Sequence, residues 1–128
     1  MPLTSVSVPP VGGTAQDEAA RELRRLAGLV YEYGKCRTYV FEQGVDPWFP
    51  VDVLPGTLDD RAAEACAGCP VIAECLEMTL RLEANLPRQN VVGIFGATPG
   101  FRRLEMIEAR LAQQKDDEAL VEAGGGAR

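Results

Sequence analysis

The residues whose types and spacing could do chemistry are four cysteines. Cys66, Cys69 and Cys75 form a Cys-x2-Cys-x5-Cys run, and Cys36 precedes that run by 29 intervening residues. Histidine is absent, so no imidazole could complete a metal site beside them. Four thiolates can hold an iron–sulfur cluster, and the same four can hold a structural zinc ion. The cysteine set therefore predicts a cluster or metal site, and ligand type alone does not separate the two.

The spacing of the cysteines favours a cluster over zinc. Structural zinc sites commonly use two short Cys-x2-4-Cys pairs, whereas here only Cys66 and Cys69 form such a pair and Cys36 stands alone. Pro70 follows Cys69 directly, and a short corner at that point could turn three sulfurs toward one point. A zinc site stays open as an alternative. Disulfides or unpaired thiols stay open as well, because an even number of cysteines permits them.

The chain lacks the sequence features of secreted and membrane proteins. No apolar run is long enough to cross a bilayer, and the start lacks the basic-then-apolar order of a secretory signal. We therefore expect a cytoplasmic protein with no membrane partner. Because cytoplasmic thiols are kept reduced, this setting favours cysteine ligands over structural disulfides.

The charge balance limits the ways in which the protein could contact nucleic acid. Thirteen Lys and Arg residues stand against nineteen Asp and Glu residues, for a formal net charge of −6. Phosphate binding is driven by Lys and Arg, so the overall field opposes it. Any contact with DNA is expected to be local or indirect.

Apolar periodicity and capping signals predict four helices. Leucines and other apolar residues recur at helical spacing before Gly34, which is a plausible helix stop. Thr57 is expected to cap the second helix and Pro70 to open the third, while Pro99 opens the fourth. The predicted helices cover residues 15–33, 57–67, 70–85 and 99 to about 111, and an irregular loop covers 36–56.

These elements predict an all-α fold in which about four short helices wrap around the cysteine site. Residues 1–14 are rich in Pro, Gly and Ser and are expected to be disordered. The helical domain is expected to cover residues 15–113. Residues 114–128 are acidic and end in three glycines before Ala127 and Arg128, which indicates a flexible tail.

Four motifs in this order resemble those of the WhiB-like proteins, a family of actinobacterial iron–sulfur transcription regulators. That family has a lone Cys, an Asp-Pro…Phe-Phe-Pro stretch, a Cys-x2-Cys-x5-Cys run, and a Gly-Val/Ile-Trp-Gly-Gly turn followed by Arg-Arg. The corresponding residues are Cys36, Asp46-Pro47-Trp48-Phe49-Pro50, Cys66 to Cys75, Gly93-Ile94-Phe95-Gly96-Ala97, and Arg102-Arg103.

The resemblance implies a small helical domain around a 4Fe-4S cluster that is sensitive to oxygen and nitric oxide. The four cysteines would be its ligands. It also implies a regulator, not an enzyme, that binds the carboxy-terminal region of the primary sigma factor of RNA polymerase. Trp48, Phe49 and Phe95 would make that contact, since aromatic anchors suit a desolvated interface. Gly93 and Gly96 would supply backbone geometry to the turn.

The sequence departs from the family pattern in three ways. Phe95 stands where a Trp is usual, and Ala97 replaces the second turn glycine, which leaves the shape of the turn open. The gap between Cys36 and Cys66 is long and indicates a longer loop. The tail is acidic instead of basic, so Arg102 and Arg103 are the best local candidates for DNA contact, and a second DNA-binding regulator is expected to supply much of it.

Simpler structural roles and other functions stand beside these interpretations. Trp48 and Phe49 could be core residues, and Arg102 and Arg103 could form ion pairs on a helix. The Cys66-x2-Cys69 pair could serve a protein thiol–disulfide reductase in the cluster-free form, although the thioredoxin-like βαβ setting is missing. A zinc-stapled interaction module is the other alternative.

Overall fold

The computed structural model describes residues 14–126 except 41–43, 52 and 55. Most of these residues are helical, so the predicted all-α class with four helices is confirmed. The elements are α1 (Ala15–Tyr33), α2 (Leu58–Cys66), α3 (Ile72–Glu83), β1 (Ile94–Phe95), β2 (Thr98–Pro99) and α4 (Gly100–Gly126). The predicted disordered segment 1–14 lies outside the described residues apart from Thr14.

Helix α1 begins and ends where the sequence predicts. Thr14 caps it through a capping box, in which the Asp17 N–H donates to the Thr14 hydroxyl and the Asp17 carboxylate accepts from the Thr14 N–H, both at 3.2 Å. The helix ends where Gly34 takes up an extended conformation, with φ −65° and ψ 131°, and a Cβ at this position would lie 2.5 Å from the Val30 carbonyl oxygen. Leu26 is the fully buried residue of its apolar stripe. The helix packs against α3 through this side.

Helices α2 and α3 are joined by a short corner; α2 begins directly after Thr57 as predicted, whereas α3 begins two residues after the predicted Pro70. Thr57 precedes α2, but its hydroxyl donates to the Leu54 carbonyl at 2.6 Å and caps nothing. Pro70 lies in the corner itself, and Val71 is the cap of α3. Gly68 adopts a φ of +82°, which turns the chain between the two helices.

A two-stranded hairpin follows α3, where the sequence predicts a tight turn. Its register pairs Ile94 with Pro99 and Phe95 with Thr98 in antiparallel fashion. The two residues between the strands, Gly96 and Ala97, have positive φ values of 61° and 57°. Positive φ at both central positions is the pattern of a type I′ turn, which suits the twist of a short hairpin.

Helix α4 is longer than predicted. It runs to Gly126 and crosses the expected domain boundary at residue 113. The added turns consist mainly of good helix formers, and no glycine interrupts them before Gly124. Residues 111–121 are all exposed, so the extension contributes little to the core. In the described part of the chain, none of the helices combines the length and the hydropathy needed to cross a bilayer.

The hydrophobic core lies between α2, the hairpin and the loop before α2. Its buried members are Trp48, Ala62, Ala65, Cys66 and Ile94, with Ile72 and Ala97 packed at the edge. The Ile94 N–H donates to the Trp48 carbonyl at 2.7 Å and fixes the loop to β1. Because Cys66 belongs to this cluster, the core and the cysteine site share one wall.

Candidate metal centre

The four cysteines line one cavity. Its volume is about 150 Å³, against roughly 10–15 Å³ needed to hold a single water molecule. Apolar side chains make up most of the remaining wall. The lining comprises Cys36, Cys66, Cys69 and Cys75 with Val30, Gly34, Lys35, Asp46, Trp48, Phe49, Val71, Ile72, Ile94, Phe95 and Gly96. The structure therefore brings together sulfurs that are up to 39 positions apart in the sequence.

Three of the cysteines lie in different local elements, and Cys69 lies in the corner between α2 and α3. Cys36 lies in a 3-10 helix, Lys35–Arg37, directly after the stop of α1. Cys66 is the last residue of α2, and its carbonyl accepts from the Cys69 N–H at 3.0 Å across the corner. Cys75 lies in the first turn of α3, where the positive end of the helix dipole favours a thiolate.

Lys35 links the segment that contains Cys36 to the corner that contains Cys66 and Cys69. Its ammonium group donates to the Ala67 carbonyl at 2.9 Å, across 32 positions of sequence. Ala67 lies between Cys66 and Cys69 in the corner. Lys35 also lines the cavity, so this contact places a cation at a site whose ligands would be anionic.

The surroundings raise the pKa of two of the thiols. Burial raises the pKa of Cys75, and this effect outweighs hydrogen bonds from the Gly96 backbone and the Thr79 side chain. Burial also raises the pKa of Cys36 above its usual value, although the residue as a whole is exposed. Neighbouring cysteines add to both shifts. Without a positive ligand these two groups therefore favour the protonated thiol, and a metal centre would supply the charge that stabilises the thiolates.

The hairpin forms the roof of the cavity. The Ala97 N–H donates to Cys66 Sγ at 3.3 Å. A Cβ at Gly96 would lie 2.5 Å from Leu76 Cβ and 2.6 Å from its Cα, so only glycine allows the turn to approach α3 beside Cys75. Ala97 adopts the left-handed φ that a second glycine would favour. Alanine in place of the family's second turn glycine therefore leaves φ positive at both Gly96 and Ala97. This settles the shape of the turn, which the sequence left open.

The donor set and the cavity fit a group of several atoms. Among the residues that the structure describes, no three Cys, Asp or Glu side chains converge closely enough for one metal ion. All four cysteines nevertheless line one cavity. Four thiolates spread around a cavity are the ligand set of an iron–sulfur cluster, whereas structural zinc draws four ligands to one point.

The three aromatic residues predicted as partner contacts have different positions. Phe49 is 47% exposed, and its ring meets the Phe95 ring edge to face at a centroid distance of 6.0 Å. Phe95 is partly buried and lines the cavity. Trp48 is only 6% exposed and packs edge to face on Tyr39. Trp48 therefore has the core position that the sequence left open as the simpler role, and its contact with a partner stays a prediction.

The two arginines predicted as DNA contacts differ in solvent exposure. Arg102 is exposed and bonds Asp59 at 2.9 Å and Glu105 at 3.2 Å. The Arg102 guanidinium lowers the pKa of Asp59. Arg103 is 0% exposed and forms an ion pair with the buried Glu83 at 2.7 Å. Arg103 therefore has the ion-pair role that the sequence left open, and its contact with DNA stays a prediction.

Sequence reasoning missed Glu83 and Lys35. Leu82 continues the apolar spacing of α3 but is 54% exposed, whereas the charged Glu83 beside it is buried. A charged residue is buried only when it is paired, and the partner of Glu83 lies 20 positions away. No local signal in the sequence joins the two.

Comparison with families of known proteins places the chain. Residues 32–106, more than half of the chain, match the family described as "Transcription factor WhiB". This range covers all four cysteines, the hairpin and the start of α4. No curated protein and no solved structure matches the chain. The match over most of the folded part shows that the chain belongs to the WhiB family of transcription factors.

Proposed function

We propose that this transcription factor is a redox- or nitric-oxide-responsive regulator. It holds a 4Fe-4S cluster on Cys36, Cys66, Cys69 and Cys75 and binds the carboxy-terminal region of the primary sigma factor. The observation that carries the proposal is the cavity of about 150 Å³ that all four cysteines line. Four cysteine thiolates are the ligand set that such a cluster requires.

The residues around the cavity would hold the cluster and keep solvent from it. When bound, a 4Fe-4S cluster supplies one-electron chemistry and reactivity toward small oxidants. The Ala97 amide hydrogen-bonds Cys66, and hydrogen bonds to ligand sulfurs tune such a centre. Ile94 and Trp48 are buried and form an apolar wall, while Lys35 lies beside the anionic ligands. The exposed side of Cys36 is the route by which a small oxidant would enter.

The surface proposed for the sigma factor lies next to this cavity. Phe49 and Phe95 stack edge to face, and Phe49 presents half of its surface to solvent. Both side chains also line the cavity. A change in the cluster would therefore act on the walls of the partner surface directly. Phe49 has the properties of an interface anchor, a large apolar group with little conformational freedom.

Contact with DNA is proposed to be mainly indirect. Arg103 is buried, and Arg102 is already paired with two carboxylates. The formal net charge of −6 opposes phosphate binding through the overall field. A second DNA-binding regulator, recruited with the sigma factor, would then supply most of the base contacts, with Arg102 as the local contribution.

Metal analysis tests the cluster. Protein purified without oxygen is expected to be brown and to contain matched iron and acid-labile sulfide. Cys69→Ser should reduce both, whereas Ala67→Ser, in the same corner, should retain both because it removes no sulfur. Colourless protein with one zinc per chain would contradict the proposal and favour a zinc-stapled module.

A binding assay tests the partner. Cluster-loaded protein is expected to bind the carboxy-terminal region of the primary sigma factor, and cluster-free protein is expected to bind it more weakly. Isothermal titration of both forms against the same sigma fragment measures this difference. Equal affinity in the two forms would contradict the sensing role, and no binding of the loaded form would contradict the sigma assignment.

The geometry gives less support to a thiol–disulfide reductase. Such enzymes attack through an accessible thiolate of lowered pKa. Cys66 of the Cys66–Cys69 pair is buried, and burial raises the pKa of Cys36 and Cys75. Insulin reduction by cluster-free protein, with Cys66→Ser as the control, is expected to show no activity above background.

A further inference from the structure

Arg103 and Glu83 form a buried ion pair that the proposed function does not use. The Arg103 Nε donates to Glu83 Oε1 at 2.7 Å, and Nη2 donates to Oε2 at 3.0 Å. Both side chains are buried. Burying a charge pair is costly unless every donor and acceptor is satisfied. The other hydrogen bonds of Arg103 therefore indicate the role of its ion pair with Glu83.

The remaining donors of Arg103 bond the backbone of the hairpin. Nη1 donates to the Gly93 carbonyl at 2.9 Å and to the Thr98 carbonyl at 2.6 Å, and Nη2 donates to the Val92 carbonyl at 2.8 Å. A guanidinium has five N–H groups, and all five are used here. The three carbonyls lie on both sides of the hairpin, so one side chain fastens its two strands at the base. The guanidinium carbon also lies 5.2 Å from the Phe95 ring centroid.

Glu83 fixes this base to the helix that carries Cys75. Both residues belong to α3, eight positions apart, which corresponds to about 12 Å along a helix. At the other end of the hairpin, Gly96 lies against Leu76, the residue after Cys75. The hairpin is thus attached to α3 at two points, its tip beside Cys75 and its base at Glu83.

The tip of the hairpin contacts the cysteine site through one backbone amide. The Ala97 N–H lies 3.3 Å from Cys66 Sγ, within hydrogen-bond range of a sulfur acceptor, and this distance depends on the orientation of the hairpin. The strands themselves are only two residues long each and pair too briefly to fix their own orientation.

We infer that Arg103, with Glu83, is a positioning residue for the cysteine site. It holds the hairpin so that the turn amides meet the sulfurs and the roof of the cavity stays closed. The part of this inference that involves the cluster rests on the proposed function. The part that involves the Ala97 amide does not, because it depends only on the backbone of the hairpin.

Hydrogen exchange and cluster lifetime test this inference together. In Arg103→Lys, the hairpin peptide is expected to exchange about tenfold faster than in wild type while an α1 peptide is unchanged, because hydrogen bonds to a charged donor are lost locally. The visible absorption of loaded protein in air should decay about tenfold faster as well. Glu83→Gln keeps the size of the side chain and should act in the same direction, more weakly.

Ile107→Val is the matched control, since Ile107 is a buried residue one turn further along α4. This substitution is expected to lower the stability of the whole fold without changing a contact of the hairpin. Hydrogen exchange of the hairpin peptide and of the α1 peptide should therefore change equally, if it changes at all. Unchanged exchange of the hairpin in both Arg103→Lys and Glu83→Gln, or equal acceleration of hairpin and α1, would overturn the inference.

A failure of the proposed function gives a different result. Wild-type protein without iron and sulfide would refute the cluster. The exchange comparison on that protein would still decide whether Arg103 holds the hairpin against Cys66.

Discussion

The backbone N–H of Ala97 donates a hydrogen bond to Cys66 Sγ across 3.3 Å, although 31 positions separate the two residues. One partner lies in the turn of the hairpin and the other ends α2 in the core. A hydrogen bond to a thiolate is charge-assisted and stronger than one between neutral groups. The conformation of the turn and the state of the cysteine site are therefore linked.

Ala97→Gly is expected to stabilise the fold by about 1 kcal/mol, because Ala97 has a φ of +57° that glycine adopts without the Cβ penalty. Thermal unfolding should show a midpoint several degrees above that of wild type, on the order of 4–8 °C for a domain of this size. The turn amide should keep its bond to Cys66.

Ala63→Gly is the matched control for that prediction. Ala63 is exposed in the middle of α2, where glycine destabilises by about 1 kcal/mol. The two substitutions are chemically identical and should act with opposite sign. A lower midpoint for both variants would show that the left-handed conformation of Ala97 carries no cost.

Gly96→Ala should destabilise the fold by about 2–4 kcal/mol, since strain at a φ of +61° adds to overpacking against α3. The added Cβ would meet backbone and Cβ atoms of Leu76 that cannot move aside. Urea unfolding measures the change. Gly56→Ala serves as the control, because Gly56 has a similar φ of +85° but nothing within 4 Å of its Cβ position. Equal losses for both variants would mean that contact with α3 contributes nothing.

Glu77 joins α3 to α4 and should give the fold part of its acid sensitivity. Hydrogen bonds from Arg110 and then Arg81 lower the pKa of Glu77 from its ordinary value of 4.5 to about 2. A lowered carboxylate pKa contributes stability that is present above pH 4.5 and is lost as the pH falls toward 2. Because the pair is partly exposed, we expect Glu77→Gln to lose about 1 kcal/mol at neutral pH.

Urea unfolding of wild type and Glu77→Gln at a series of pH values tests this expectation. The difference between the two proteins should shrink as the pH falls through the interval from 4.5 to 2. Glu108→Gln, which removes the more exposed pair with Arg88, should show a smaller difference at neutral pH. A Glu77→Gln difference that stays constant with pH would contradict the proposed linkage.

Phe49→Ala is expected to weaken binding of the sigma fragment by about 2 kcal/mol, or roughly 30-fold, if Phe49 is an interface anchor. Its neighbour Trp48 is buried, so Trp48→Ala should instead destabilise the fold by about 3–5 kcal/mol. Titration calorimetry and thermal unfolding separate the two effects. Leu82→Ala alters a similarly exposed apolar residue on α3 and should leave affinity unchanged. Unchanged affinity in Phe49→Ala would remove this surface from the proposal.

Local signals account for the parts of the fold that the sequence predicted well. The bounds of α1 follow from Thr14 at one end and Gly34 at the other, and both act through contacts within a few residues. Helix α4 runs past the predicted end, because the residues of the acidic tail are mainly good helix formers. Thr57 precedes α2 as predicted, although its hydroxyl bonds the Leu54 carbonyl instead of the helix, and α3 begins two residues after Pro70.

The sequence by itself determined the cysteine set, the helical character and, through residues 32–106, membership of the WhiB family. These depend on residue identity and on spacing along the chain. Tertiary structure alone decided that Trp48 and Arg103 are buried while Phe49 stays exposed. Neighbouring residues of similar type, such as Trp48 and Phe49, differ only in what distant segments bring against them. Burial and pairing are properties of those long-range contacts, and no local pattern encodes them.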